Sequence, residues 1–266
     1  MVYSVSNKVA FVTGGGSGFG ELVSQRLASK GALVIVCDIV VEKGRRVAEG
    51  LGDRGFFVAA DVSDQKSLAA AFEEGVKKWG RVDIMVNNAG IVEPPNGFVS
   101  DSEADWKLVM DVDLYSVIHG TQLALNQFRK QTPHGGIIIN VASMAGFLPD
   151  ISMPIYATAK AGVVMLTRSL GGKLVKTQNV RVVGIAPTFA MTNMGKFALA
   201  NPVTKKYVEA SSVPVSLVID AFMRAIEDES LAGDILRVTS QKGIDVLPRR
   251  DLAQVTLAPL KKESKI

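Results

Sequence analysis

The 266-residue sequence predicts an α/β fold, a doubly wound and mostly parallel sheet of about seven strands with helices on both faces. Three observations predict it. Short, nearly unbroken apolar runs alternate with segments of helical periodicity, as parallel strands buried on both faces and joined by crossover helices require. A glycine-rich turn, Gly14-Gly15-Gly16-Ser17-Gly18-Phe19-Gly20, follows the first apolar run directly. An acidic residue, Asp38, closes the second.

Taken in order, Lys8–Thr13 is a short apolar strand, Glu21–Lys30 has the period of an amphipathic helix, and Ala32–Asp38 returns to a strand pattern. Strand, glycine turn, helix and strand together make a Rossmann-like βαβ unit. The alternation continues with a helix over Val40–Leu51, a strand over Gly55–Ala60, a helix over Gln65–Trp79 and a strand over Val82–Asn87. A long helix is expected from Asp101 to about Lys130, opened by a Ser100/Glu103 capping box. Gly136–Val141 is an apolar strand. Pro154 fits the first turn of the next helix, where a missing N–H is no loss, and that helix runs through Ala161–Lys176. Val180–Ile185 is a strand, Val215–Glu229 a helix and Asp234–Thr239 the last strand.

Residues 188–214 read as an irregular insertion over the ligand crevice. Its Phe189, Met191, Met194, Phe197 and Leu199 either line an apolar pocket or serve as lid packing or a subunit contact. With no proline-rich linker, composition break or repeat, residues 1–248 are expected to form one domain, followed by a basic tail over 249–266.

The formal net charge is +4, of which residues 249–266 carry +3. The body of the chain therefore has no basic stripe suited to a nucleic-acid backbone, and no such partner is expected. The single cysteine, Cys37, excludes a disulfide framework; in the apolar run LVIVC it is either a buried small hydrophobe or a nucleophile. His119 and His134 are far apart and belong to no metal-binding pattern, so no metal is expected. No run approaches the roughly 20 apolar residues of a transmembrane helix, and no signal segment opens the chain. The expectation is a cytoplasmic protein.

The glycine turn permits close backbone approach, and the helix after it offers unpaired N–H groups to a pyrophosphate. Taken alone, such a turn is also compatible with a purely structural role. Asp38 lies 18 residues beyond Gly20. A carboxylate there accepts hydrogen bonds from ribose hydroxyls and repels a 2′-phosphate, which favours NAD over NADP; Ile39 and Val40 add no compensating base. The alternative is a helix cap or surface acid.

Tyr156 and Lys160 stand four residues apart, on one face of a helix. A free phenol has a pKa of about 10, too high for an efficient base near neutrality, and a neighbouring ammonium lowers it. Ser143 precedes Tyr156 by 13 residues, a separation that a loop can fold into one site. Its flanking residues lack the glycines of a nucleophile elbow, which argues against a covalent serine intermediate.

These residues together resemble the short-chain dehydrogenase/reductase family. Thr13, Gly14, Gly18 and Gly20 match its TGxxxGxG pattern, and Asn87-Asn88-Ala89-Gly90 match its NNAG element, preceded here by Trp79-Gly80-Arg81-Val82-Asp83. Ser143, Tyr156 and Lys160 match its catalytic set. The resemblance implies NAD as cofactor, held by Gly14, Ser17, Gly18, Phe19, Gly20, Asp38, Ile39, Asp61, Val62, Asn88, Ala89, Gly90, Tyr156, Lys160, Pro187, Phe189 and Thr192. From the residues alone, Asp61 is equally a turn or cap carboxylate. The implied reaction oxidises a secondary alcohol to a ketone, Tyr156 taking the hydroxyl proton and Ser143 orienting the oxygen. The substrate is expected to be a largely apolar small molecule of lipid, steroid or terpenoid type. Two other functions stay open: an NADH-dependent carbonyl reductase, and a catalytically impaired dinucleotide-binding scaffold.

Two departures stand out. The family's helical asparagine, a member of a water-linked proton path, corresponds to Asp113, which accepts hydrogen bonds but cannot donate them when ionised. Its usual proline-glycine after the sixth strand is Pro187-Thr188. Within the family, residues 6–247 are most similar to the NAD-dependent hydroxyprostaglandin dehydrogenase branch, notably at Gly135–Asn140, Thr167–Ser169 and Ser240–Ile244. That branch's glutamine region before the tyrosine corresponds to Ser152-Met153, so the resemblance carries the reaction but not the substrate. Met153 and Phe189 join Ser143 as substrate-side candidates. A homodimer or homotetramer is implied, built on the faces Val112–Leu125 and Ala159–Leu174.

Overall fold

The computed structural model describes residues 3–93, 98–99, 106–192, 194–195, 199 and 202–247. The expected Ser100/Glu103 capping box, Phe197 and the basic tail over 249–266 lie outside these. The chain opens with β1 (Val9–Thr13), α1 (Gly18–Ser29) and β2 (Leu33–Asp38), paired in parallel from Val9↔Leu33 to Thr13↔Cys37. There follow α2 (Val41–Gly50), β3 (Gly55–Ala59), α3 (Gln65–Trp79) and β4 (Ile84–Asn87). The expected long helix is continuous from 106 to 130, comprising α4 (Trp106–Met110), a π-helical segment (Asp111–Tyr115) and α5 (Ser116–Lys130). Then come β5 (Gly136–Val141), α6 (Pro154–Gln178), β6 (Val180–Pro187), α7 (Pro202–Ser211), α8 (Val215–Glu227), β7 (Ile235–Thr239) and β8 (Gly243–Leu247).

The strands form one sheet in the order β3-β2-β1-β4-β5-β6-β7-β8. Every residue of β1 is buried, because alternate side chains enter different helical layers. Ala10 and Val12 join Val23, Leu27 and Phe222 on one face, whereas Val9 and Phe11 join Leu68, Phe72 and Phe128 on the other. This double burial is why the strands read as continuous apolar runs. Cys37 is one of these core residues; burial pushes its thiol far up, and it is a packed hydrophobe rather than a nucleophile.

The strand order reverses between β1 and β4, and ligands of such sheets bind in the crevice at that point. The two strand ends are locked together there. Asn88 Nδ2 donates to the carbonyl oxygens of Thr13 (2.9 Å) and Gly14 (3.2 Å), and Thr13 Oγ1 accepts from the N–H of Asn88 and of Ala89. Beneath them, Asn87 donates to Asn140 Oδ1 at 2.9 Å and Asn140 donates to Thr167 Oγ1 at 3.1 Å, tying β4, β5 and α6 into one buried polar seam. Farther along the sheet, the buried Arg181 of β6 donates to the carbonyls of Ala225 (3.0 Å), Asp228 (2.9 Å), Leu231 (3.3 Å) and Ile226, satisfying the end of α8.

Two features correct the expectation. The sheet has eight strands, because β8 pairs antiparallel with β7 at the edge. All five β8 residues are only half-buried, so the strand lacks the apolar run that marks the others. Residues 188–214 are also not wholly irregular: α7 is helical from Pro202, and Ala190 bridges Val213. A short helix with few apolar residues gives little periodic signal.

Candidate active site

The glycine turn is shaped by what cannot fit around it. Gly14 has φ +62°, and a Cβ there would stand 2.9 Å from the Ala89 Cα. A Cβ on Gly20 would stand 2.1 Å from the Gly14 carbonyl oxygen. Gly20 is accordingly buried and packed against the turn, which lets α1 lie close to it.

Gly14, Ser17, Gly18 and Phe19 line a cavity of about 450 Å³, facing Asp38, Ile39, Asp61, Val62, Asn88, Ala89 and Gly90. Asp38 is only 8% exposed, so it is not a surface acid. Its Oδ2 accepts from the Gly16 N–H and its Oδ1 from the Val40 N–H, both at 2.8 Å. The carboxylate thus braces the turn and keeps spare lone pairs toward the cavity. Asp61 Oδ1 accepts from the Ser63 N–H (2.9 Å) and hydroxyl (2.6 Å), a turn-forming arrangement on the same wall. A glycine-rich turn, the start of α1 and a carboxylate at the end of β2 fit an adenine dinucleotide.

A second cavity, of about 660 Å³, adjoins the first; Phe19, Asn88, Gly90, Thr192 and Met194 border both. Ser143, Tyr156, Lys160 and Asp113 line it, as do Pro187, Phe189 and Met153. Ser143 follows β5 in an extended conformation and caps a short turn, accepting from the Ala145 N–H at 3.2 Å. Tyr156 and Lys160 come from the first turns of α6, with the Lys160 Nζ 5.5 Å from the Tyr156 ring centroid. Burial pushes the Tyr156 phenol above its ordinary value; the Lys160 ammonium opposes this, Asp113 adds to it, and a hydrogen bond with Ser143 opposes it.

Asp113 sits in the π-helical segment, where the Ser116 N–H bonds the Asp111 carbonyl five residues back. It is completely buried and forms an ion pair with Lys160, Oδ2 to Nζ 2.9 Å, while Oδ1 accepts from the Ile91 N–H at 2.8 Å. Lys160 Nζ also donates to the Val141 carbonyl at 3.1 Å. Burial works against the ammonium, but Asp113 and Tyr156 more than offset it and hold Lys160 above its ordinary value. Burial also pushes the Asp113 carboxyl upward, against the pull of Lys160 and the Ile91 N–H.

Glu93 was not foreseen from sequence. The start of α6 has Pro154, which lacks an N–H, and an N-cap, Met153, that offers no side-chain acceptor. Glu93, from the loop after β4, supplies one: its Oε1 accepts from the Ile155 N–H at 2.9 Å, one residue before Tyr156. Glu93 is 2% exposed, and burial pushes its carboxyl above the ordinary range. The pairing spans 62 residues, so no local pattern reveals it.

On the substrate side, Val92, Leu148, Pro149, Ile151, Met153 and Phe189 make the wall largely apolar, and Leu148 (50%) and Ile151 (77%) expose apolar surface nearby. Of the lid residues expected to line a pocket, Phe189 and Met194 border these cavities, whereas Met191 and Leu199 are not among the described residues bordering these two. Ser152 is turned to Asp150, donating to its Oδ1 at 2.6 Å. Thr188, in place of the family's glycine, donates to the Ser211 carbonyl at 2.7 Å, so a side chain holds the turn. Thr192 stands beside Gly18 between the two cavities. Among the described residues no cluster suited to a metal occurs, and no helix is long and apolar enough to cross a membrane.

The family model for short chain dehydrogenase matches residues 8–203. The 15-hydroxyprostaglandin dehydrogenase [NAD(+)] of Homo sapiens is 34% identical over 259 residues, covering 90% of this chain and 94% of the relative. The 2-dehydro-3-deoxy-D-gluconate 5-dehydrogenase of Dickeya dadantii is 37% identical over 192 residues, 72% of this chain and 75% of that protein. A 3-ketoacyl-(acyl-carrier-protein) reductase from Brucella melitensis, complexed with NADH, shares the fold with a TM-score of 0.78 at 30% identity, covering 91% of this chain and 100% of that one.

Proposed function

Because the chain belongs to the short-chain dehydrogenase family, an enzyme family of NAD(H)-dependent oxidoreductases acting on CH–OH groups, we propose that it interconverts a secondary alcohol and a ketone on a largely apolar small molecule, with NAD(H) as cofactor. The observation that carries this reading is the convergence of Ser143, Tyr156 and Lys160 in an apolar cavity that shares Asn88, Gly90 and Thr192 with the glycine-turn cavity. Asp38 favours NAD over NADP by its charge.

The bound nicotinamide supplies the acceptor for the hydride that leaves the carbinol carbon with its electron pair. Everything else is done by the chain. Tyr156 takes the hydroxyl proton in oxidation and returns it in reduction; Ser143 orients the substrate oxygen; Lys160 and the start of α6 hold the phenol in place. Glycines 14 and 18 with Ser17 and Phe19 cradle the dinucleotide, and Asp61, Val62 and Ile39 frame its adenine end. Met153 and Phe189 shape the substrate wall, where the exposed Leu148 and Ile151 favour a ligand without charge. Exposed Tyr115 and Ile118 on the long helix and Met165 on α6 support self-association through these helices.

The test is NADH absorbance over a diverse panel of secondary alcohols and ketones, with NADP⁺ in parallel. Turnover of apolar secondary alcohols with NAD⁺ supports the reading. Cofactor binding without turnover of any panel member, together with a specific protein partner, favours the scaffold reading instead.

A further inference from the structure

The buried pair Asp113–Lys160 gives the reacting side an unusual charge balance. Lys160 is the cation beside Tyr156, and its ammonium is the group that would stabilise phenolate. Here a fully buried carboxylate contacts that ammonium directly, and 2.9 Å leaves no room for a water between them. The contact is built in. The Asp113 Oδ1 is held by the Ile91 N–H, the Lys160 Nζ by the Val141 carbonyl, and the carboxylate itself is carried inward by the π-helical segment. Gly90 closes over both: a Cβ there would stand 3.2 Å from the Asp113 Oδ2 and 3.5 Å from the Lys160 Nζ. Separating such a pair would strand a charge away from water, so the two ionise together.

From this geometry we infer that Asp113 is a positioning residue that spends the Lys160 charge on itself, so that Tyr156 stays a phenol through neutral pH and the enzyme is poised to reduce ketones there and to oxidise alcohols in alkaline solution. This rests on the oxidoreductase reading above. An enzyme cannot move the overall equilibrium, but the pH range in which each protonation state exists is its own. Reduction needs the phenol, which gives its proton to the substrate oxygen as hydride reaches the carbonyl carbon. Oxidation needs the phenolate, which takes that proton back. With an amide at 113 the pair would set one uncompensated positive charge beside the phenol; with the carboxylate the pair sets none.

Among the described residues, the other protein groups around Tyr156 do not restore a positive charge. On its own helix the nearby charge is Lys160. Ser143, after β5, contributes a neutral hydroxyl. Glu93, from the β4 loop, accepts from the Ile155 N–H beside Tyr156, and Asp150 stands near Glu93 on the loop before α6. Both are acids, and neither favours phenolate. Burial and Asp113 act in the same direction on the phenol.

The experiment has an arm that needs no turnover. Tyrosinate ultraviolet absorbance of the free protein is titrated against pH, with Tyr156→Phe as the blank, in the wild type and in Asp113→Asn. Tyr156 of the wild type should ionise no lower than the ordinary phenol range near about 10, and that of Asp113→Asn at least about one unit lower. In the second arm, kcat/KM for oxidation and reduction are followed across pH. Both limbs should move to lower pH in the variant, by the same amount as the absorbance midpoint. Equal midpoints in the two proteins, or wild-type ionisation below about 8, overturn the inference. If Asp113→Asn does not fold, the wild-type titration and an Asp113→Ser variant decide in its place. If no alcohol or ketone is turned over, the oxidoreductase reading fails, while the absorbance arm still decides what Asp113 does to Tyr156.

Discussion

Replacing Asp38 with asparagine separates two roles that one carboxylate plays here. Its oxygens hold the Gly16 and Val40 N–H groups at 2.8 Å each, and the residue is 8% exposed. Asparagine keeps the shape but has one acceptor, so one of the two N–H groups meets an amide nitrogen instead; the loss is about 1–3 kcal/mol, part of it felt in folding. Ribose hydroxyls would donate to a neutral amide rather than a carboxylate, weakening NAD by about 1.4 kcal/mol, or tenfold. The 2′-phosphate of NADP, by contrast, would lose its repulsion. At about 5 Å and an effective dielectric of about 20, one unit of charge on each side amounts to about 3 kcal/mol, or a hundredfold. The preference for NAD should therefore fall by about a thousandfold in Asp38→Asn, read as the ratio of kcat/KM values and checked by fluorescence titration of each cofactor. Arg46 bonds the carbonyl of Gly16, whose N–H Asp38 holds, at 3.4 Å and is itself paired with Glu21 at 2.8 Å. A cofactor ratio that changes less than about threefold, or a wild type that prefers NADP, refutes the charge argument.

Other perturbations test the frame of the site. Glu93→Ala should lower kcat by at least about tenfold with a smaller effect on KM, because it removes the acceptor for the Ile155 N–H at the start of the helix that carries Tyr156, and Glu93→Gln should recover part of the loss. Equal losses in the two variants, or a change in KM alone, would show that Glu93 does not position the tyrosine. Arg181→Met should cost about 3 kcal/mol and lower Tm by about 6–12 °C, since the carbonyls of Ala225 and Ile226 in the last turn of α8 and of Asp228 and Leu231 just beyond it lose the guanidinium, while NAD binding is unchanged. Calorimetry showing a fall of less than about 2 °C would contradict that account.

How much of this was legible in the sequence depended on whether a residue acts through its neighbours in the chain. The βαβ unit, the glycine turn and Asp38 are local, and strands buried on both faces announce themselves as apolar runs. Tyr156 and Lys160 share a helical face, so their spacing is informative as well. β8 was missed because an edge strand with half-buried residues has no such run, and α7 because its few apolar residues carry a weak period. Glu93 and the Asp113–Lys160 pair are contacts over 62 and 47 residues, created by the crossing of elements, and only the three-dimensional arrangement reveals them.

The central claim is that Tyr156 moves the proton in an NAD-linked interconversion of alcohol and ketone. Steady-state NADH formation by the wild type and by Tyr156→Phe, with the best alcohol of the panel and with NAD⁺ affinity measured separately, tests it most directly. The account predicts a loss in kcat of about 10²–10⁴-fold in Tyr156→Phe with NAD⁺ affinity retained. Unchanged turnover in Tyr156→Phe would contradict it.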